Sequence, residues 1–164
     1  MKVSRLAWLA YALAVVVVIA DQGLKYWVLD VFRLQDRAAD GVPVLGPFWL
    51  AMVKNRGVSF GVFNSDADWT RWALSAFSLA VAGVLAVWAT RAQQTLLALA
   101  IGFIMGGAVG NLIDRVRLGA VTDFLDFSRW HFPWVFNIAD AAINVGAVLL
   151  IWDLFLAPRK RAGG

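Results

Sequence analysis

The chain contains no cysteine and one histidine, His131. Without cysteine there are no disulfides, thiolate nucleophiles or thiolate-held metals, and one imidazole cannot supply a metal site built on several histidines. Charge is sparse as well. Of 164 residues, 16% are charged and 61% hydrophobic, and the mean hydropathy is +0.70. Soluble domains carry about a quarter charged residues, so this much apolar surface, with nine tryptophans, points to a membrane protein. The formal net charge of +4 and the pI near 10.0 raise the question of nucleic acid. The basic residues lie mostly beside apolar segments, however, and Arg159, Lys160 and Arg161 directly follow the last one. Membrane lipids are therefore the expected partner of that charge, and nucleic acid is not.

A helix needs roughly 20 residues to cross the hydrocarbon. Four stretches approach that length, at 6–29, 72–89, 96–113 and 139–156. The first begins like a secretory signal, with Lys2 and Arg5 ahead of an apolar run, and Ala10-Tyr11-Ala12 resembles a cleavage site. That tripeptide lies inside the run, so the segment is read as a retained span. Four spans put both termini on one side, and Lys2, Arg5, Arg91 and Arg159 to Arg161 favour the cytoplasm. The other connections hold more basic residues in total, so the charge count alone does not decide the orientation. The connection at 30–71 is too long for a turn and is expected to fold. In it Phe48 to Val53 and Val58 to Phe63 read as two strands around Lys54-Asn55-Arg56-Gly57, giving a small sheet at the membrane surface. The connection at 116–135 carries Trp130, Phe132 and Trp134, rings suited to the headgroup level, and His131 reads as interfacial.

Polar residues at the margins of such segments call for explanation, because an ionised carboxylate near hydrocarbon costs several kcal/mol unless paired or hydrated. Asp123 and Asp140 are the prominent cases. Asp21 and Lys25 are four apart, and either neutralise each other as an ion pair or orient a neighbouring site. Gly102, Gly106 and Gly110 form a stripe for close helix packing. Asn111, Asp114 and Arg115 follow, and an Asp114–Arg115 pair closing the helix end is the plain reading. Asn137 is a candidate N-cap with Asp140 in the first turn, an arrangement that by itself is only stabilising. Asn137, Asp140 and Asn144 nevertheless share one helical face, which wants a polar partner. Asp123 is the nearest candidate, with Asp126 as competitor.

Five segments in order, Asp21-Gln22-Gly23-Leu24-Lys25, Asn55 to Gly61, Gly110 to Arg115, Val121-Thr122-Asp123-Phe124 and Phe136 to Ile143, closely resemble the bacterial lipoprotein signal peptidases, or type II signal peptidases. The resemblance covers nearly the whole chain. Val58 and Thr122 depart from the family's usual small and apolar residues, touching no carboxylate or amide. It implies an intramembrane aspartic endopeptidase of the bacterial inner membrane, a single domain over 1–164, with four helices, a β-cradle and a short helix on the periplasmic side. The catalytic dyad falls on Asp123 and Asp140. Asp21, Lys25, Asn55, Gly57, Asn111, Asp114, Arg115 and Asn137 are the substrate-binding or supporting positions. The implied partner is a diacylated prolipoprotein, cut just before its lipid-bearing cysteine. No cofactor or metal is expected, and the chain is expected to act as a monomer.

The chemistry stands without the name. Two adjacent carboxylates cannot both ionise cheaply, so near neutral pH they share a proton, one serving as base towards water and the other as acid towards the scissile carbonyl. A small proton-coupled transporter using Asp21, Lys25, Asp114 and Asp140 as a relay is the alternative, and would spread its charges across the bilayer depth. An assembly factor held by the glycine stripe would leave the polar face of the last span idle.

Overall fold

The computed structural model describes residues 4–37, 40–57, 68–130 and 134–156. Its helices are α1 (Arg5–Tyr26), α2 (Asp68–Ala89), α3 (Thr95–Leu118) and α4 (Ile138–Ile151). Wider turns extend α1 over Trp27–Val31 and α4 over Trp152–Leu156. The first of these is closed by the Phe32 N–H on the Trp27 carbonyl at 2.7 Å. All four helical segments are long and apolar enough to cross a membrane.

Side-chain size explains why α3 lies at the centre. It packs against α1, α2 and α4, and its glycines remove the atoms that would keep those helices apart. A Cβ at Gly106 would come within 2.7 Å of the Val17 Cβ on α1, and one at Gly107 would collide with the Ala139 carbonyl on α4. The face of α1 that meets α3 runs Ala7, Ala10, Ala14, Val17, Asp21, Lys25, all buried at i+3 or i+4 spacing. It is small and apolar for four positions and then charged for two, so α1 delivers an ion pair to one end of the bundle. Large apolar side chains such as Ile19, Phe77, Val84 and Val148 face outwards, as hydrocarbon as solvent requires. Ser4 caps α1 by accepting the Ala7 N–H at 3.1 Å, and the Tyr11 hydroxyl donates to the Ala86 carbonyl of α2 at 2.8 Å.

The charged end carries a four-stranded antiparallel sheet in the order β1 (Val42–Leu45), β2 (Phe48–Asn55), β3 (Val121–Asp126) and β4 (Val135–Phe136). One core joins Leu50 of β2 and Phe124 of β3 to Val28 and Leu34 beyond α1. The expected sheet is therefore present, with different pairing. β2 runs on through Lys54 and Asn55, where the sequence pattern predicts a turn, and its partners are β1 and β3. The expected second strand, Val58 to Phe63, lies outside the described residues. The second connection to the sheet is the segment read from sequence as an interfacial loop, which supplies β3 and β4.

Helix boundaries differ from the apolar runs for a physical reason. α3 continues to Leu118, five residues past Ile113, because Asn111, Asp114 and Arg115 have polar neighbours inside the fold. It ends at Gly119, whose φ of 78° suits glycine at a helix C-terminus. α2 begins at Asp68, before the expected Trp72.

Candidate active site

Asp123 sits on β3, opposite Val53 of β2, and is 2% exposed. Asp140 sits in the first turn of α4, whose N-cap Asn137 accepts the Asp140 N–H at 2.8 Å through its side-chain oxygen. The two carboxylates are linked through two side-chain amides. Asn137 Nδ2 donates to Asp123 Oδ1 at 2.7 Å and lies 3.2 Å from Asn111 Oδ1, while Asn111 Nδ2 donates to Asp140 Oδ1 at 2.8 Å. Asn55 of β2 donates to the other oxygen of Asp123 at 3.2 Å, and its own oxygen accepts the Gly57 N–H at 3.1 Å.

Burial is the main cause that pushes the Asp123 carboxyl up to about 7, and the charge of Asp140 adds to it. Hydrogen bonds from Asn55 and Asn137 and the Lys25 ammonium pull in the opposite direction. A carboxyl so placed exchanges a proton near neutrality, as an acid–base catalyst requires.

Beneath the pair lies a buried ionic cluster. Lys25 Nζ reaches Asp21 Oδ2 at 2.7 Å and Asp114 Oδ2 at 2.8 Å. Thus the i,i+4 pair expected within α1 exists, but its lysine is shared with α3. Among the described residues Asp114 forms its ion pair with Lys25 and not with its sequence neighbour Arg115, and its Oδ2 also accepts the Thr122 N–H at 3.0 Å, so the plain expectation of an Asp114–Arg115 pair is replaced. Arg115 faces Asp140, Asp123 and Asp114 electrostatically. Its Nη2 lies 3.4 Å from the Gly57 carbonyl and its Nη1 3.5 Å from the Asn111 carbonyl, and its buried Nε has no partner among the described residues.

Every one of the ten positions singled out from the sequence, Asp21, Lys25, Asn55, Gly57, Asn111, Asp114, Arg115, Asp123, Asn137 and Asp140, belongs to this connected network. Two other readings fare differently. Asn144 is exposed and makes none of these bonds. Asp126 accepts the Ser128 N–H at 2.7 Å and serves a local turn. Sequence reasoning passed over Gln22, whose amide bridges Asp21 and Asp114, and Arg71, which binds the Arg115 and Val116 carbonyls at 2.7 Å each. Gln22 stands beside Asp21 in a quoted motif, a signal that was available; nothing local marks Arg71.

Among the described residues no group of acids and histidines could hold a metal ion. The arrangement places two carboxyls, each held by a side-chain amide, where they can take up and release protons.

The profile of the signal peptidase II family matches residues 13–156. The chain belongs to that family. A lipoprotein signal peptidase of Caulobacter vibrioides is 49% identical over 162 residues, covering 98% of this chain and 95% of the relative. One from Yersinia pseudotuberculosis is 43% identical over 153 residues, covering 91% and 88%. A solved bacterial membrane enzyme, 27% identical, shares the fold with a TM-score of 0.75 over 88% of this chain and 86% of its own. A second, 26% identical, gives 0.74 over 91% and 94%. As a signal peptidase II the chain is a multi-pass peptidase of the inner membrane, with the four helices and small antiparallel sheet that the resemblance implies.

Proposed function

We propose that this signal peptidase cuts diacylglyceryl-modified prolipoproteins just before the lipid-bearing cysteine, with Asp123 and Asp140 as its catalytic pair. Removal of signal peptides from prolipoproteins is the activity that family membership gives. The observation that carries the dyad is the amide bridge: Asn137 holds Asp123 and Asn111 holds Asp140, and the two amides also meet each other.

The pair shares one proton near neutral pH. The ionised member draws a proton from a water molecule, which attacks the scissile carbonyl. The protonated member donates to the carbonyl oxygen, and a proton then passes to the departing amine. Base and acid roles belong to the pair and are not divided between Asp123 and Asp140. Asn55, Asn111 and Asn137 orient the carboxylates, Asp21, Lys25 and Asp114 support them from below, and Arg115 and Gly57 form the edge that meets substrate.

In this reading the whole chain acts as a single membrane-embedded unit and as a monomer. Its termini are cytoplasmic and the sheet forms a cradle on the periplasmic face. Substrate enters sideways from the bilayer, its acyl chains and signal helix running along apolar grooves between the spans. Asp21, Asp114, Asp123 and Asp140 gather at one end of the bundle, which suits a surface hydrolytic site better than a transmembrane proton relay.

The test is incubation of purified protein in lipid with a diacylglyceryl-modified prolipoprotein, resolving release of the signal peptide on a gel. Cleavage is expected from the parent and none from folded Asp123→Asn or Asp140→Asn. Unchanged cleavage in either variant overturns the dyad. Efficient cleavage of a soluble peptide without lipid overturns lateral entry.

A further inference from the structure

Each catalytic aspartate of the proposed dyad is preceded in sequence by a residue whose backbone N–H is gripped by a different buried carboxylate. Asp21 Oδ1 accepts the Ala139 N–H at 2.9 Å, one residue before Asp140. Asp114 Oδ2 accepts the Thr122 N–H at 3.0 Å, one residue before Asp123. The two gripping carboxylates come from α1 and α3, and among the described residues the α1 side chains Lys25 and Gln22 connect them. Gln22 Nε2 lies 3.1 Å from Asp21 Oδ2, 2.9 Å from Asp114 Oδ1 and 3.2 Å from the Gly110 carbonyl. An amide has two protons, so all of its donor capacity is spent on this junction.

We propose that Gln22 is a positioning residue for peptide cleavage. With Lys25 it braces the Asp21 and Asp114 carboxylates, and through the Ala139 and Thr122 N–H groups sets the separation of Asp140 and Asp123. The brace rests on the dyad reading above and adds to it a residue with no role in that scheme.

The division of labour follows from chemistry. Lys25 supplies a positive charge and attaches to one oxygen of each carboxylate, Asp21 Oδ2 and Asp114 Oδ2. Asp21 is held at both oxygens, by Lys25 and by the Ala139 N–H, whereas Lys25 and the Thr122 N–H both meet Asp114 at Oδ2 and leave that carboxylate free to tilt. Gln22 adds the second point on Asp114, at Oδ1, and fixes the tilt of that carboxylate. It does so without charge, so the electrostatic balance of the site is unaltered. The absence of a side chain at Gly110 makes the junction possible: a Cβ there would meet Asp21 Oδ2 at 2.8 Å.

The consequence reaches the protons. Asp123 is faced by Asp140, by the Lys25 ammonium and by the Asn55 and Asn137 amides, and Arg115 faces both catalytic carboxylates and Asp114. A brace that holds the dyad close keeps the mutual repulsion high and so raises the pH at which the shared proton is lost. Loosening the brace relieves that repulsion and moves the alkaline limb of the pH–rate profile to lower pH.

The test uses the full-length protein in lipid with the diacylated prolipoprotein substrate, comparing the parent with Gln22→Met, a variant of similar length without donors. A shift of atoms far from the chemistry costs on the order of ten- to a hundredfold in rate. The expected result is a fall in kcat of that order, an unchanged KM, and an alkaline limb displaced to lower pH. A parent-like kcat and profile overturns the proposal. A lower melting temperature with the pH profile of the folded fraction unmoved also overturns it, because that is what a purely structural residue would give. Gln22→Glu, which keeps the length and can donate only when protonated, should recover activity relative to Gln22→Met as pH falls, and failure to do so counts against the brace. Asp123→Asn and Asp140→Asn run alongside: if either still cleaves, the dyad itself has failed, whatever Gln22→Met shows.

Discussion

Asn137 holds Asp123 with its amide nitrogen, at 2.7 Å, and with its amide oxygen caps the helix that carries Asp140. A structural capping residue and an orienting donor are thus the same side chain, and the two duties can be separated by substitution. Asn137→Ser keeps an N-cap acceptor and removes the amide donor. It is expected to cost roughly 1–3 kcal/mol, because buried acceptors lose their donor, and to lower kcat at least about tenfold, as loss of a second-layer hydrogen bond does. Asn137→Ala should lose activity similarly and about 1 kcal/mol of stability in addition. Thermal unfolding and cleavage rates on the same preparations check both.

The raised Asp123 pKa fixes the sign of a pH effect on stability. Folded Asp123 titrates at about 7, whereas the free carboxyl titrates near 3.8. Between those values the folded protein binds the proton that the unfolded chain has released, so stability falls as pH rises through the window. Asp123→Asn, which cannot ionise, escapes this loss. Its melting temperature relative to the parent should rise from about pH 5 to about pH 8, and a constant difference across that range would contradict the assignment.

Arg71 is expected to matter for the shape of α3. Its Nε and Nη2 bind the Arg115 and Val116 carbonyls in the final turns of that helix, and its guanidinium stacks 4.7 Å from the Trp72 ring centroid. Arg71→Met should cost roughly 1–3 kcal/mol by leaving two carbonyls without the charged donor. Arg71→Lys should recover only part of this, because a single ammonium lacks the planar fork. Thermal melts in lipid would show the order parent, lysine, methionine.

Close helix contact predicts a steep response at Gly106. Gly106→Val places branched carbon against Ala14 and Val17, whose atoms would lie 2.7 to 3.0 Å from even a first Cβ. The expected loss is about 1–3 kcal/mol or more, as for overpacked cores. Gly23→Ala, where a Cβ meets nothing within 4 Å, is the control without a steric conflict and should melt no lower than the parent.

The carboxylates were legible in the sequence because they were out of place: charge beside long apolar runs has to be satisfied by something. The amides were legible only in part. Helical spacing joined Asn137 to Asp140 but also drew in Asn144, since periodicity gives a face and not its neighbours. Asn55 and Asp123 meet because β2 and β3 pair across a separation of 68 residues, and no local pattern encodes that register. Asp114 and Arg115 mislead for the opposite reason. Neighbouring opposite charges suggest a pair, yet successive helical positions point about 100° apart, and each finds its partner elsewhere.

The bond from Ala139 to Asp21 also bears on when the protein can work. It ties the first membrane helix to the last, and Asp123 lies in the connection between α3 and α4 while Asp140 comes from α4 itself. Synthesis proceeds from the N-terminus, so a nascent chain with one, two or three helices in place holds half of the proposed dyad at most. Proteolytic capacity then arrives in one step, with the closing helix, and an incompletely inserted protease has no working centre with which to damage its surroundings.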